Sequence, residues 1–126
     1  MPSMETYYLI DYENVHEDGL SGSDKLNGHD HVHLFYTKNA AKISIEKLTS
    51  LNSADLSSHE APTGSQSLDM HLVSYLGYLI GTNINKECKY FIISKDTDYD
   101  NIIAFWKTQT NSSILKQCLI TYTVFL

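Results

Sequence analysis

Arginine is missing altogether. All 9 basic side chains in the 126 residues are lysines, set against 15 carboxylates and a formal net charge of −6. Without a planar guanidinium fork, bidentate grip on phosphate is unavailable, and the acidic balance excludes a broad basic footprint for nucleic acid. If this chain meets a polyanion, bound divalent cations are the obvious agents to bring the phosphate in. Cysteine is nearly absent: Cys88 and Cys118 stand alone with no CxxC spacing, which excludes a dithiol redox pair and leaves both as reduced, structural side chains. No apolar run approaches the roughly 18 residues of a membrane helix, and the opening "MPSMETYY" lacks the basic-then-apolar layout of a secretion signal. A soluble, cytoplasmic protein with no membrane contact is expected. A phosphate-binding G-x-x-x-x-G-K-[ST] loop and a G-x-S-x-G nucleophile elbow are both missing.

What is present organises into one domain spanning residues 1–126, because 42% hydrophobic residues in a chain of this length supply one core and not two. The runs "TYYLI" (6–10), "VHLFYT" (32–37) and "KYFIIS" (89–94) are rich in β-branched and aromatic residues and read as strands. The Gly- and Ser-rich segment "EDGLSGSDKLNGHD" reads as a long loop. Helical spacing of Ile43, Lys47, Leu48 and Leu51 predicts a helix over 41–51. A short edge strand is expected near 56–59, before Pro62 and Gly64. In "SLDMHLVSYLGYLIG", Leu68, Leu72, Leu76, Leu79 and Ile80 form an apolar stripe, with Ser67 as the expected cap and Gly81 as the stop. "DYDNIIAFWKTQ" predicts another helix with Ile102, Ile103, Phe105 and Trp106 turned inward, and "CLITYTVFL" a last strand. Strands alternating with helices imply right-handed crossovers, hence an α/β, doubly wound, mostly parallel central sheet with helices on both faces.

Acids recur at the ends of these strands. Asp11 follows the first strand in "YYLIDYENVH", and Asp96 follows "YFIIS" in the same way, with Asp98 and Asp100 behind it. Open parallel sheets bind ligands beyond the carboxyl ends of their strands, where strand order reverses. Asp11 and Asp96 would face each other there. Taken singly, each acid has a plain explanation: Asp11 as a turn former, Asp69 as a first-turn residue complementing a helix dipole, Glu13 and Glu46 as surface charges. Together, three separate segments deliver acids to one end of one sheet, and like charges are costly to gather unless cations hold them. The cluster "HDHVH" (29–33) puts His31 and His33 on one face of a strand, with Asp30 beside them, yet no second pair of ligands at zinc spacing follows.

The ordered set "LIDYENV", "SLDMHLVSYLG" and "IISKDTDYDNII" resembles the PIN-like nuclease superfamily, and more closely its NYN-type branch, from about Tyr8 to Trp106. The resemblance implies that Asp11, Asp69, Asp96 and Asp98 are the metal-site acids and that Asn14, or alternatively Glu13, orients Asp11 or the substrate. It aligns Glu46 with the helix acid of toxin-type members. It implies Mg²⁺ or Mn²⁺ as cofactor, which suits a site of carboxylate oxygens, and hydrolysis of single-stranded RNA by a metal-activated water. Lys38 and Lys95, at the same end of the sheet, are the available point charges for phosphate.

The expected activity is therefore a metal-dependent ribonuclease, in RNA turnover or in a toxin or defence setting; a homodimer is compatible with the sequence. The alternative is a catalytically silent PIN-like module that binds RNA or a protein partner. A phosphatase of the haloacid dehalogenase type requires D-x-D after the first strand, where this chain has Asp11-Tyr12-Glu13. A receiver domain requires a phospho-accepting Asp after a middle strand, and none is found.

Overall fold

In the computed structural model, which describes residues 4–109 and 113–117, the apolar runs become five parallel strands. β1 (Glu5–Asp11), β2 (Asp30–Tyr36), β3 (Asp55–Glu60), β4 (Cys88–Ile93) and β5 (Ser113–Gln117) lie in the order β3-β2-β1-β4-β5. The expected doubly wound sheet is present, and among the described strands every pairing is parallel. β1 is central, with Ile10 level with Leu34 on β2 and Ile93 on β4. The chain winds outward from β1 to β3, crosses back over the sheet, and continues on the other side through β4. Strand order thus reverses between β1 and β4, and the crevice opens at their carboxyl ends.

Strand parity sorts side chains between two cores. Tyr8 and Ile10 of β1, Val32 and Leu34 of β2 and Ile93 of β4 join Leu20 and Leu51 on one face, where α1 (Tyr12–Val15) and α2 (Ile45–Ser50) lie. Leu9, Tyr90 and Ile92 point to the other face. There they meet Leu68, Leu72, Leu76, Leu79 and Ile80 of α3 (Ser67–Thr82) and Tyr99 and Ile103 of α4 (Tyr99–Gln109). By the same alternation, Asp11 shares the α3/α4 side with Leu9, and Ser94 shares it with Tyr90 and Ile92. Parity alone aims those two polar side chains at α3 and α4.

Several local expectations are corrected. The helix predicted over 41–51 is six residues long, because Ser44 supplies the cap: its hydroxyl accepts the Lys47 N–H, and its own N–H is held by Glu17. Residues Lys38–Ala40 form a separate 3₁₀ turn. Leu51, just past α2, is the buried anchor, while Leu48 is exposed. Ser67 does not cap α3 but is its first residue; Gln66 takes the cap position in a left-handed conformation (φ 63°), and the helix runs through Gly81 to Thr82. On α4, Ile103 is buried, Ile102 and Trp106 half-buried, and Phe105 exposed. The long loop holds two 3₁₀ turns, His16–Leu20 and Ser23–Lys25. The predicted edge strand near 56–59 is β3. The strand expected at 118–126 lies outside the described residues; the strand paired with β4 is Ser113–Gln117.

The contrast between α3 and α2 is testable. Leu76 is wholly buried, whereas Ile45 is 82% exposed. Leu76→Ala is expected to lower the unfolding free energy by about 2–5 kcal/mol in urea titrations, and Ile45→Ala to change it by no more than about 0.5 kcal/mol.

Candidate functional site

At the carboxyl end of β1 and β4 lies an open cavity of about 310 Å³, lined by Asp11, Glu13, Asn14, Gly64, Gln66, Leu68, Asp69, Asp96 and Asp98. Each wall has a local cause. Asp11 is the last residue of β1, Glu13 and Asn14 sit on the short α1 that follows, and Asp69 occupies the first turn of α3. Asp96 and Asp98 lie in the turn between β4 and α4. Three segments distant in the chain therefore meet at the place where a doubly wound sheet leaves a gap.

Asp69, Asp96 and Asp98 each offer a ligand atom within 4.8 Å of the others; among the described residues no other group of three or more His, Cys, Asp or Glu does so. Asp11 lies deeper, 4% exposed, and is joined to Asp69 through Tyr99, whose hydroxyl stands 3.3 Å from Asp11 Oδ2 and 2.9 Å from Asp69 Oδ1. Ser94 Oγ donates to Asp11 Oδ2 at 3.1 Å and accepts the Asp96 N–H at 3.0 Å. The Asp98 N–H donates to Asp96 Oδ1 at 2.9 Å, which fixes the turn carrying both acids. Asn14 Oδ1 accepts the Lys95 N–H at 2.9 Å, so α1 is stitched to the β4–α4 turn, and the backbone of Asn14 also bonds the Asp11 carboxylate. Glu13 is exposed, but its carboxylate is tethered by the buried Thr37 hydroxyl at the end of β2.

The electrostatics follow from this crowding. Burial pushes the Asp11 carboxyl up to about 6; the Ser94 hydrogen bond opposes the rise and the Asp69 charge adds to it. Asp69 is raised as well, by burial first, against the Tyr99 hydrogen bond and with the charges of Asp96, Asp98 and Glu13. Tyr99 is driven far above its ordinary value by burial and by the two carboxylates it touches, so it remains a proton donor. Raised carboxylates and a cluster of oxygen donors are what a hard divalent cation neutralises. The donor set therefore fits such an ion: three carboxylates within reach of one point, open on one side to water and substrate.

Other sequence candidates fall elsewhere. Lys38 and Lys95 are exposed at the same end of the sheet, and their side chains do not line the cavity. Glu46, exposed on α2, does not line it either. Of the histidines of "HDHVH", His29 and His31 sit at the opposite, amino-terminal end and His33 midway along β2, and all are taken up by neighbours. His31 bonds Asp55 at 2.7 Å and Glu5 at 3.0 Å, His29 bonds Glu5 at 2.7 Å, and His33 pairs with His59 at 2.9 Å. Both ring nitrogens of His31 are engaged by carboxylates, which leaves neither for zinc. A larger depression, about 470 Å³ and mostly apolar, lies between α2, β2 and β3; it gathers no set of carboxylates, so the chemistry belongs to the smaller cavity. Ser94 and Tyr99 are the first and last residues of the S-x-D-x-D-aromatic run on which the family resemblance rests, although the sequence assigned neither a role; Gln66 was passed over, since its place depends on a left-handed turn.

The Asp11 shift carries a signed consequence. A carboxyl whose folded pKa lies above its ordinary 3.8 favours the native state when protonated; that contribution is full below the unfolded value and is lost as pH rises through about 6. His33, pushed down to about 4 by burial, acts in the opposite sense in the same window, so the difference between wild type and a variant is the clean observable. In EDTA, Asp11→Asn is expected to melt above wild type at about pH 8, with the gap closing toward about pH 4.5. A gap independent of pH would contradict the assignment.

Comparison with known proteins returned no matching curated protein and no matching solved structure. A family model described as a PIN domain matches residues 5–113, from the start of β1 to the start of β5 and so across every wall of the acidic cavity. The chain belongs to the PIN domain family.

Proposed function

We propose that this protein is a divalent-metal-dependent ribonuclease of the NYN-type branch, cutting single-stranded RNA. The observation that carries the reading is the convergence of Asp69, Asp96 and Asp98 within 4.8 Å at the β1/β4 crevice of a PIN domain. These three, with Asp11 behind them, would hold Mg²⁺ or Mn²⁺, the ions that all-oxygen sites of this charge suit. Such an ion, when bound, supplies an activated water and neutralises charge on the phosphate and the leaving oxygen.

The rest is the work of the chain's own residues. Ser94 and Asn14 hold the β4–α4 turn against β1, so that Asp96 and Asp98 stand opposite Asp69. Gln66 and Gly64, both with positive φ, form the outer wall on the α3 side and leave the cavity open. Lys38 and Lys95 offer point charges to phosphates that flank the scissile one, in place of the missing arginines. The motif "LIDYENV", with Asn14 three residues after Asp11, and the run from Ser94 to Tyr99 support the NYN-type assignment. A silent RNA- or partner-binding module is favoured by one feature only, the absence of a basic side chain from the cavity lining.

Purified protein is expected to degrade unstructured RNA with Mg²⁺ or Mn²⁺ and to leave it intact in EDTA. Asp96→Asn and Asp98→Asn are each expected to reduce cleavage to background while circular dichroism stays native. Cleavage that persists in EDTA, or at wild-type rate in Asp96→Asn, contradicts the assignment. A wild type that is inert with every divalent ion supports the silent module.

A further inference from the structure

The hydroxyl of Tyr99 is out of place for a side chain that only packs. The ring opens α4 inside the core beneath the cavity, 2% exposed, and a phenylalanine there would fill the same space without the cost of burying a polar group. The hydroxyl instead lies between two carboxylates on different elements, 2.9 Å from Asp69 Oδ1 on α3 and 3.3 Å from Asp11 Oδ2 on β1. A phenol carries one hydrogen, so it serves one acceptor at a time. The shorter contact is with Asp69, and Asp11 has Ser94 as a second donor at 3.1 Å.

We propose that Tyr99 is the positioning residue of the metal site: its hydroxyl, anchored in the core beside Asp11, donates to Asp69 and holds that carboxylate in the orientation that closes the triad with Asp96 and Asp98. The proposal rests on the metal-dependent reading above and adds a residue to it. Three features support the role. Asp69 faces the charges of Asp96, Asp98 and Glu13, and an unrestrained carboxylate in that field would swing toward water. α3 enters the site through Gln66, whose carbonyl accepts the Met70 N–H but whose side chain makes no capping bond, so the first turn of the helix gains no side-chain restraint from its cap. Finally, Tyr99 lies one residue past Asp98, so the contact that orients Asp69 also fixes the turn bearing the opposing ligand.

Partners that orient metal ligands from behind are typically worth about 10–100-fold in metal affinity. Isothermal titration of Mn²⁺ into wild type and Tyr99→Phe tests the role, because the variant keeps the ring and removes only the hydroxyl. The expected result is an Mn²⁺ dissociation constant weakened about tenfold or more, with native circular dichroism and a metal-free melting temperature that is not lowered in proportion. Equal affinity in the two proteins overturns the proposal and leaves the metal site standing. A wild type that takes up no Mn²⁺ at millimolar concentration overturns the metal-dependent reading and this proposal with it. A second readout needs no variant: in wild type the Tyr99 hydroxyl proton is expected as a slowly exchanging NMR resonance that shifts on addition of diamagnetic Mg²⁺. A resonance indifferent to Mg²⁺ overturns the proposal.

Discussion

Repulsion among carboxylates at the β1/β4 crevice is the constraint around which the site is built. Two unit charges at about 4 Å interact by about 1 kcal/mol in water and about 4 kcal/mol near a protein surface, and here Asp69, Asp96 and Asp98 lie within 4.8 Å with Asp11 buried just behind. The lining contributes five carboxylates and no lysine. The apolar cores on both faces of the sheet supply the stability that tolerates the arrangement. The hydroxyls of Ser94 and Tyr99 and the amide of Asn14 keep the acids in place by hydrogen bonding.

The two ends of the same sheet show what that means. At the amino-terminal end, Glu5 and Asp55 are also brought together by strand pairing, but His31 sits between them and bonds both. Burial alone would lower the His31 pKa, yet the hydrogen bonds to Asp55 and Glu5 raise it, so the two acids favour the protonated ring between them. That cluster closes on itself. At the carboxyl end the acids gather around an open cavity instead. The same residue types, arranged by the same strands, make a structural clasp at one rim and an acidic cavity at the other.

Much of this was legible in the sequence, for identifiable reasons. The order of β1, β2 and β4 followed from strand-forming runs separated by helical spacing, and the crevice from the rule that open parallel sheets bind at their switch point. Asp11, Asp69, Asp96 and Asp98 were readable because each follows or opens a recognisable element, and all four line one cavity. Short-range chemistry was harder to read. The boundary of α2 depends on Ser44 finding both Lys47 and Glu17, and α3 is capped by Gln66 at positive φ in place of the serine cap that propensity favours. Tyr99 was legible as the aromatic that ends the S-x-D-x-D run, but its partners are 88 and 30 residues away in the chain, and no local pattern announces such contacts.

On the proposed reading, an arginine-free, acidic PIN domain would recruit the phosphate through a bound ion, so cation uptake at this cavity stands ahead of every statement about substrate. Anomalous diffraction from crystals of the wild-type protein soaked in Mn²⁺ tests that directly. The account predicts a peak about 2.0–2.5 Å from carboxylate oxygens of Asp69, Asp96 and Asp98, lost in crystals of Asp96→Asn. A peak beside His31 and Glu5 instead, or none at the crevice in a protein that cleaves RNA, would contradict it.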